Sequence, residues 1–120
     1  MHIEVNTTHQ ITSQESLKAE VADMVERTLS RFSDHVTTIE VHLDDENGAK
    51  GGDDDIRCTI EARLVGQQPI AVTGHAANVT QATNGASGKM ARALDSAIGR
   101  HLAKLRTSGD LGHAPTTPEV

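Results

Sequence analysis

Aromatic side chains are almost missing from this chain. Its 120 residues include one Phe, at position 32, and no Trp or Tyr. A core must therefore be assembled from Val, Ile, Leu, Ala and Met, each of which buries less area than a ring, and the fold has a modest margin of stability. Cysteine is equally scarce. Cys58 stands alone, which excludes an internal disulfide framework and a cysteine-based metal site. No run of about 18 apolar residues occurs, so no membrane-spanning helix is expected. The opening residues 1–10 lack a basic segment followed by an apolar one, so no signal peptide is expected and the cytoplasm is the predicted location. An excess of positive charge is also lacking: 11 Lys and Arg face 17 Asp and Glu, for a net charge of −6. No global field draws such a chain to nucleic acid or an anionic membrane, and any contact with RNA must come from a local basic stripe.

What is present is periodicity. The length suits one domain, expected over residues 1–106, with a Gly-, Thr- and Pro-rich disordered tail over 107–120. From His2 to Thr7, Ile3 and Val5 alternate with His2, Glu4 and Asn6, the pattern of a half-buried strand. Thr12 and Glu15 have the spacing of a capping box. Leu17, Val21, Met24, Val25, Thr28 and Phe32 then recur at helical intervals, predicting a helix over about 13–32. Three further strands follow. Ile39, Val41 and Leu43 alternate with polar neighbours, as do Cys58, Ile60, Ala62 and Leu64, and then Ile70 and Val72. The acid- and glycine-rich stretch 44–55 reads as a solvated loop, and 66–69 as a short turn. The last helix is expected over about 78–105, with Val79, Ala82, Ala86, Met90, Leu94, Ile98, Leu102 and Leu105 inward. Gly85 and Gly88 within it predict a close approach to the first helix or a local kink. Each strand has one apolar and one largely polar face, so both helices belong on the same side. The predicted fold is α+β: a two-layer βαβββα domain, a four-stranded mixed sheet with two helices packed on one face. The first crossover makes its two strands parallel if they are neighbours.

Candidate chemistry is sparse. At 100° per residue, Lys89, Arg92, Arg100 and Lys104 fall within a stripe about 120° wide on the last helix, nearly opposite Met90, Leu94, Ile98 and Leu102. Ser96 lies among them, and Asp95 lies to one side. Arg27 and Arg31 extend this patch if the helices pack side by side. Such a stripe can clamp phosphates; an ordinary solvated helix face is the other reading. None of the seven histidines has the helical spacing of a metal site. His2, His42 and His75 are expected on the polar sheet face, as exposed strand residues. Cys58 points to the core. The 44–55 loop lacks the ordered ligands of an EF-hand. Residues 85–89 lack the glycine and the hydroxyl of a phosphate loop, and as a GXXG pattern they fall inside one helix rather than between two. No nucleophile–base arrangement recommends itself, so no enzyme, cofactor, metal or small-molecule substrate is expected.

The order of elements resembles the ribosome hibernation-promoting and ribosome-associated inhibitor family, also labelled sigma-54 modulation proteins. The resemblance covers roughly residues 2–106. It rests on Ile3, Glu4 and Val5 before Ile11 and Thr12, on the strand Ile56 to Ala62, and on Lys89, Met90, Ala91, Arg92, Ala93 and Leu94, which look like the family's Lys-Leu-x-Arg-Gln-Leu helix phrase. It implies a translation inhibitor that binds the small ribosomal subunit in the channel used by mRNA and tRNA, with a basic helical face on 16S rRNA. By position it assigns RNA binding to Lys89, Arg92, Arg100, Lys104 and Arg106, and to Arg27 and Arg31 at the end of the first helix. The chain resembles the short forms, without the C-terminal domain that pairs ribosomes. It departs from the family at Thr80 and at 82–84, where a Tyr and an Ala-Ile-Asp run are usual, and at Gly88, where Asp is usual. The second reading is a protein-interaction or stress-response module of the same fold that no longer binds ribosomes, motivated by the acidic loop, the polar sheet face and the negative charge.

Overall fold

The computed structural model describes residues 1–7, 15–45 and 56–109, with the side chains of 15–16 and 105–109 left aside. The order is β1 (His2–Thr7), α1 (Glu15–Leu29) closed by a 3-10 turn (Ser30–Phe32), β2 (Val36–Asp45), β3 (Ile56–Leu64), β4 (Ile70–Ala76) and α2 (Val79–Gly109). The four strands form one sheet in the order β1-β2-β3-β4. β1 pairs β2 in parallel, with Ile3 beside Ile39 and Val5 beside Val41. The other two pairings are antiparallel. The predicted mixed four-stranded α+β fold is therefore the observed one. The capping box at Thr12 and most of the acidic loop, residues 46–55, lie outside the described residues.

The period of two places Ile39, Val41, Leu43, Cys58, Ile60 and Ala62 on one face, all of them fully buried. Both helices cover that face, and their buried residues join the strands in one cluster. From α1 come Val21, Val25 and Leu29, and Phe32 follows from the 3-10 turn. Leu29 was not among the predicted inward positions, whereas Met24 and Thr28, which were, are only half-buried.

α2 starts where the sequence places it. Asn78 is its N-cap, its Oδ1 accepting the amide of Gln81 at 2.8 Å. The helix then runs unbroken through Gly85 and Gly88 to Gly109, three residues into the predicted tail, and residues 110–120 lie outside the described ones. Neither internal glycine packs on α1. A side chain at Gly85 would meet nothing within 4 Å, and one at Gly88 only the Arg92 guanidinium at 3.9 Å. The close approach lies elsewhere, between α2 and β4. A Cβ at Gly74 would stand 2.9 Å from the Ala86 amide nitrogen and 3.0 Å from the Ala82 carbonyl oxygen, both backbone atoms. Small residues on α2 let the helix settle onto this strand. Leu102, expected inward, is 42% exposed, because burial on α2 ends at Ile98 and the helix outruns the sheet.

Beneath α2 the core holds three polar atoms. Burial pushes the Cys58 thiol up to about 11, while the nearby Thr83 hydroxyl pulls it weakly the other way. Thr83 and Ser87 are themselves buried, and neither hydroxyl has a hydrogen-bond partner of ordinary geometry among the described residues.

Two predictions follow from this packing. Gly85→Ala removes a helix-interior glycine into open space and should add about 1 kcal/mol of stability, read as a rise of roughly 4–8 °C in melting temperature. Gly74→Ala should lower it by roughly 1–3 kcal/mol through overpacking; equal melting points for the two variants would contradict the assignment of the close contact. Secondly, the unfolded thiol ionises near 9.0 and the folded one near 11. The folded state thus keeps a proton that the unfolded state releases, and stability should decline as pH rises through that window. Urea unfolding of Cys58→Ala should show a shallower alkaline decline; parallel curves would assign the loss to other groups.

Candidate nucleic-acid interface

Helical periodicity places the cations, but the helix's orientation decides what they face. The buried residues of α2 are Ala82, Thr83, Ala86, Ser87, Met90, Leu94, Ala97 and Ile98. Because Ala82, Ala86 and Ala97 belong to this face, it reaches round toward the basic stripe. The stripe therefore lies along the flank of α2 above β4, beside the alanines of the buried face and away from Leu94 and Ile98. Lys89 shows this directly, its Nζ donating to the Thr73 carbonyl of β4 at 2.7 Å. Further along, Arg100 and Lys104 line a concavity together with the turn that joins β3 to β4. Arg92 is exposed, its guanidinium folded back over Gly88.

No acid among the described residues forms an ion pair with Lys89, Arg92, Arg100 or Lys104. An ammonium carries three donors, so Lys89 can keep Thr73 and still meet a phosphate. Arg106 follows on the same helix, but its side chain is outside the described residues.

Arg27 of α1 and Arg31 of the 3-10 turn after it are placed differently. Arg27 pairs with Asp23 one turn earlier. Arg31 reaches across to α2 and donates through both terminal nitrogens to the Asp95 carboxylate, each contact 3.1 Å. Its guanidinium also lies 4.2 Å above the ring of Phe32, the one aromatic residue. The Asp95 carboxyl is held below its usual range by this hydrogen bond, and the Arg31 guanidinium is raised by it. Asp95 lies about 120° round the helix from Lys89. The structure thus gathers Lys89, Arg92, Arg100 and Lys104 on one flank and sets Arg27 and Arg31 on the side where the helices meet. Arg27 borders a shallow groove there with Thr80 and Asn84. Helical spacing cannot reveal the Arg31–Asp95 pair, because it joins residues 64 positions apart.

The open face of the sheet has the opposite character. Glu4 lies beside Glu40, and Glu40 beside Glu61, so three carboxylates cross three strands in one row. Nitrogen-bearing side chains flank them: the His42 ring approaches Glu40 at 3.7 Å, and Arg57 binds Asp44 at 2.9 Å. His2, His42 and His75 do share this face, but in different rows, opposite Thr38, Thr59 and Arg57. Among the described residues no three metal-ligating side chains come together, and no helix is long and apolar enough to cross a membrane.

A two-layer α+β domain with acids on its sheet, and along one helix flank cations that pair with no described acid, is an architecture of a recognisable kind. The model of the sigma 54 modulation protein / S30EA ribosomal protein family matches residues 5–104, and the chain belongs to this ribosome-associated family. Its structure is similar to the N-terminal domain of Thermus thermophilus protein Y, with 18% identity and a TM-score of 0.62 over 78% of this chain and 96% of that one. It is also similar to a ribosomal subunit interface protein from Coxiella burnetii, with 14% identity and a TM-score of 0.63 over 82% and 99% of the two chains. At those identities the likeness is one of fold. Among curated proteins none matches the sequence.

The Arg31 pairing yields a test. Asp95→Asn should leave the melting temperature nearly unchanged, since the pair is exposed, and should free a cation. Elution from a heparin column should move to higher salt than for Glu20→Gln, which loses the same charge elsewhere. Equal elution of the two variants would mean that the pair does not occlude Arg31.

Proposed function

We propose that the protein binds the small ribosomal subunit through 16S rRNA, in the channel that mRNA and tRNA use, and thereby keeps idle ribosomes inactive in the cytoplasm. Its activity is binding, not catalysis. The observation that carries this reading is the row of cations on the α2 flank, Lys89, Arg92, Arg100 and Lys104, which no described acid neutralises. Phosphates attract such a row locally, whatever the sign of the net charge, because screening shortens the reach of the distant acids to about 10 Å. The acids described on the sheet occupy the opposite layer, which keeps repulsion away from the RNA-facing side. In this reading Arg106 extends the row, and Arg27 and Arg31 form a second, weaker contact once their acids release them. The glutamate row of the sheet favours a second reading, docking of a basic protein partner on that face.

Sedimentation with 30S or 70S particles tests the proposal. The wild-type protein should travel with the particles at low salt, and Lys89→Glu/Arg92→Glu should remain at the top of the gradient. With four phosphate contacts, a fourfold rise in salt should weaken binding by roughly 50- to 150-fold. A wild-type protein that stays at the top at low salt refutes the proposal. Capture of a protein partner without rRNA, lost when Glu4, Glu40 and Glu61 are neutralised, would support the second reading instead.

A further inference from the structure

The turn between β3 and β4 does more than reverse the chain. Gly66 turns it with φ +73°, a left-handed conformation natural to glycine. This brings residues 67–70 over the C-terminal half of α2, where the His101 ring lies 3.8 Å from the position a Gly66 side chain would take. Between turn and helix is a concavity of about 510 Å³, large enough for a small ligand. Its rim and walls are chemically ordered. Arg100, His101 and Lys104 come from α2, and Gln67 and Gln68 from the turn, while Ile70 and Ala97 supply an apolar floor. Among the described residues no carboxylate lines it.

Each component suits one part of a nucleotide. Arg100 presents a planar fork that holds a phosphate through two bonds, and Lys104 adds a point charge beside it. The primary amides of Gln67 and Gln68 each carry both donors and an acceptor, the combination that reads the edge of an unstacked base. Ile70 and Ala97 offer a surface for a ribose or a base face. A bare phosphate would leave most of the concavity and both amides unused. We propose that this concavity takes one nucleotide of a single-stranded RNA segment, its phosphate on Arg100 and Lys104 and its base against Gln67 and Gln68. The inference rests on the RNA-binding reading of the same flank and deepens it: the turn makes one end of the basic stripe a specific seat, where Lys89 and Arg92 supply charge alone.

Backbone amide shifts of the full chain provide the test, with three probes: an RNA hexamer of mixed sequence, the four ribonucleoside monophosphates, and inorganic phosphate. The hexamer should shift residues 66–70 together with 97–104, and should bind at least tenfold more tightly than any monophosphate because it also spans Lys89 and Arg92. Gln67→Ala/Gln68→Ala, at an exposed turn, should weaken the hexamer by roughly tenfold, as expected for one or two lost hydrogen bonds, without altering the salt dependence. Shifts confined to 89–92 would overturn the seat while leaving RNA binding intact. Phosphate binding as tightly as the monophosphates would overturn the base contact, and a monophosphate binding as tightly as the hexamer would overturn RNA as the source. If ribosome sedimentation fails while the hexamer still occupies the seat, the ribosome reading falls and the nucleotide site stands.

Discussion

The contact on which the rest of the molecule depends is the descent of α2 onto β4 at Gly74. With Phe32 the one residue among Phe, Trp and Tyr, the space between layers must be filled by aliphatic side chains, and the layers must come close to leave no void. They come close where a strand glycine meets Ala82 and Ala86, with backbone near backbone. This contact fixes the height and the roll of α2. The roll brings Thr83 and Ser87 into the core above Cys58, and it turns the flank bearing Lys89, Arg100 and Lys104 toward β4 and its turn.

Charge is partitioned by the same geometry. A chain of net charge −6 looks a poor partner for RNA when its charges are summed. The sheet, however, keeps three glutamates in one row on its open face, and its arginines serve acids of that face, as Arg57 serves Asp44 and Arg63 approaches Glu61. On the α2 flank no described acid pairs with the cations. The two sets lie on opposite layers, so the local field, not the sum, decides what each surface attracts. The ion pair between Arg31 and Asp95 has the contrary effect: exposed as it is, it adds little stability, but it removes a cation from the available set.

Most of the fold was legible from alternation alone. Strands with Ile, Val or Cys at every second position, such as Ile39 to Leu43 and Cys58 to Leu64, admit one buried face, and two amphipathic helices must then share it. Helical spacing also located the start of α2 to within a residue, though the cap that Asn78 supplies there is seen only in the structure. The roles of glycine were not legible. Gly85 and Gly88 catch the eye because they interrupt a helix, yet they face open space; Gly74, unremarked in a strand, is where two backbones meet. A glycine's neighbours belong to other elements, and no periodicity names them.

The sequence by itself determined the element order, the buried side of every strand, and which residues of α2 are cationic, because each follows from short-range spacing along one element. Tertiary structure alone decided how far α2 is rolled, which cations remain free, and which turn they meet. Those outcomes depend on distances between elements: Arg31 is taken by a carboxylate 64 residues away, and Arg100 and Lys104 gain Gln67 and Gln68 as neighbours. Spacing along a chain fixes directions about one axis only; how two axes are set against each other is a property of packing.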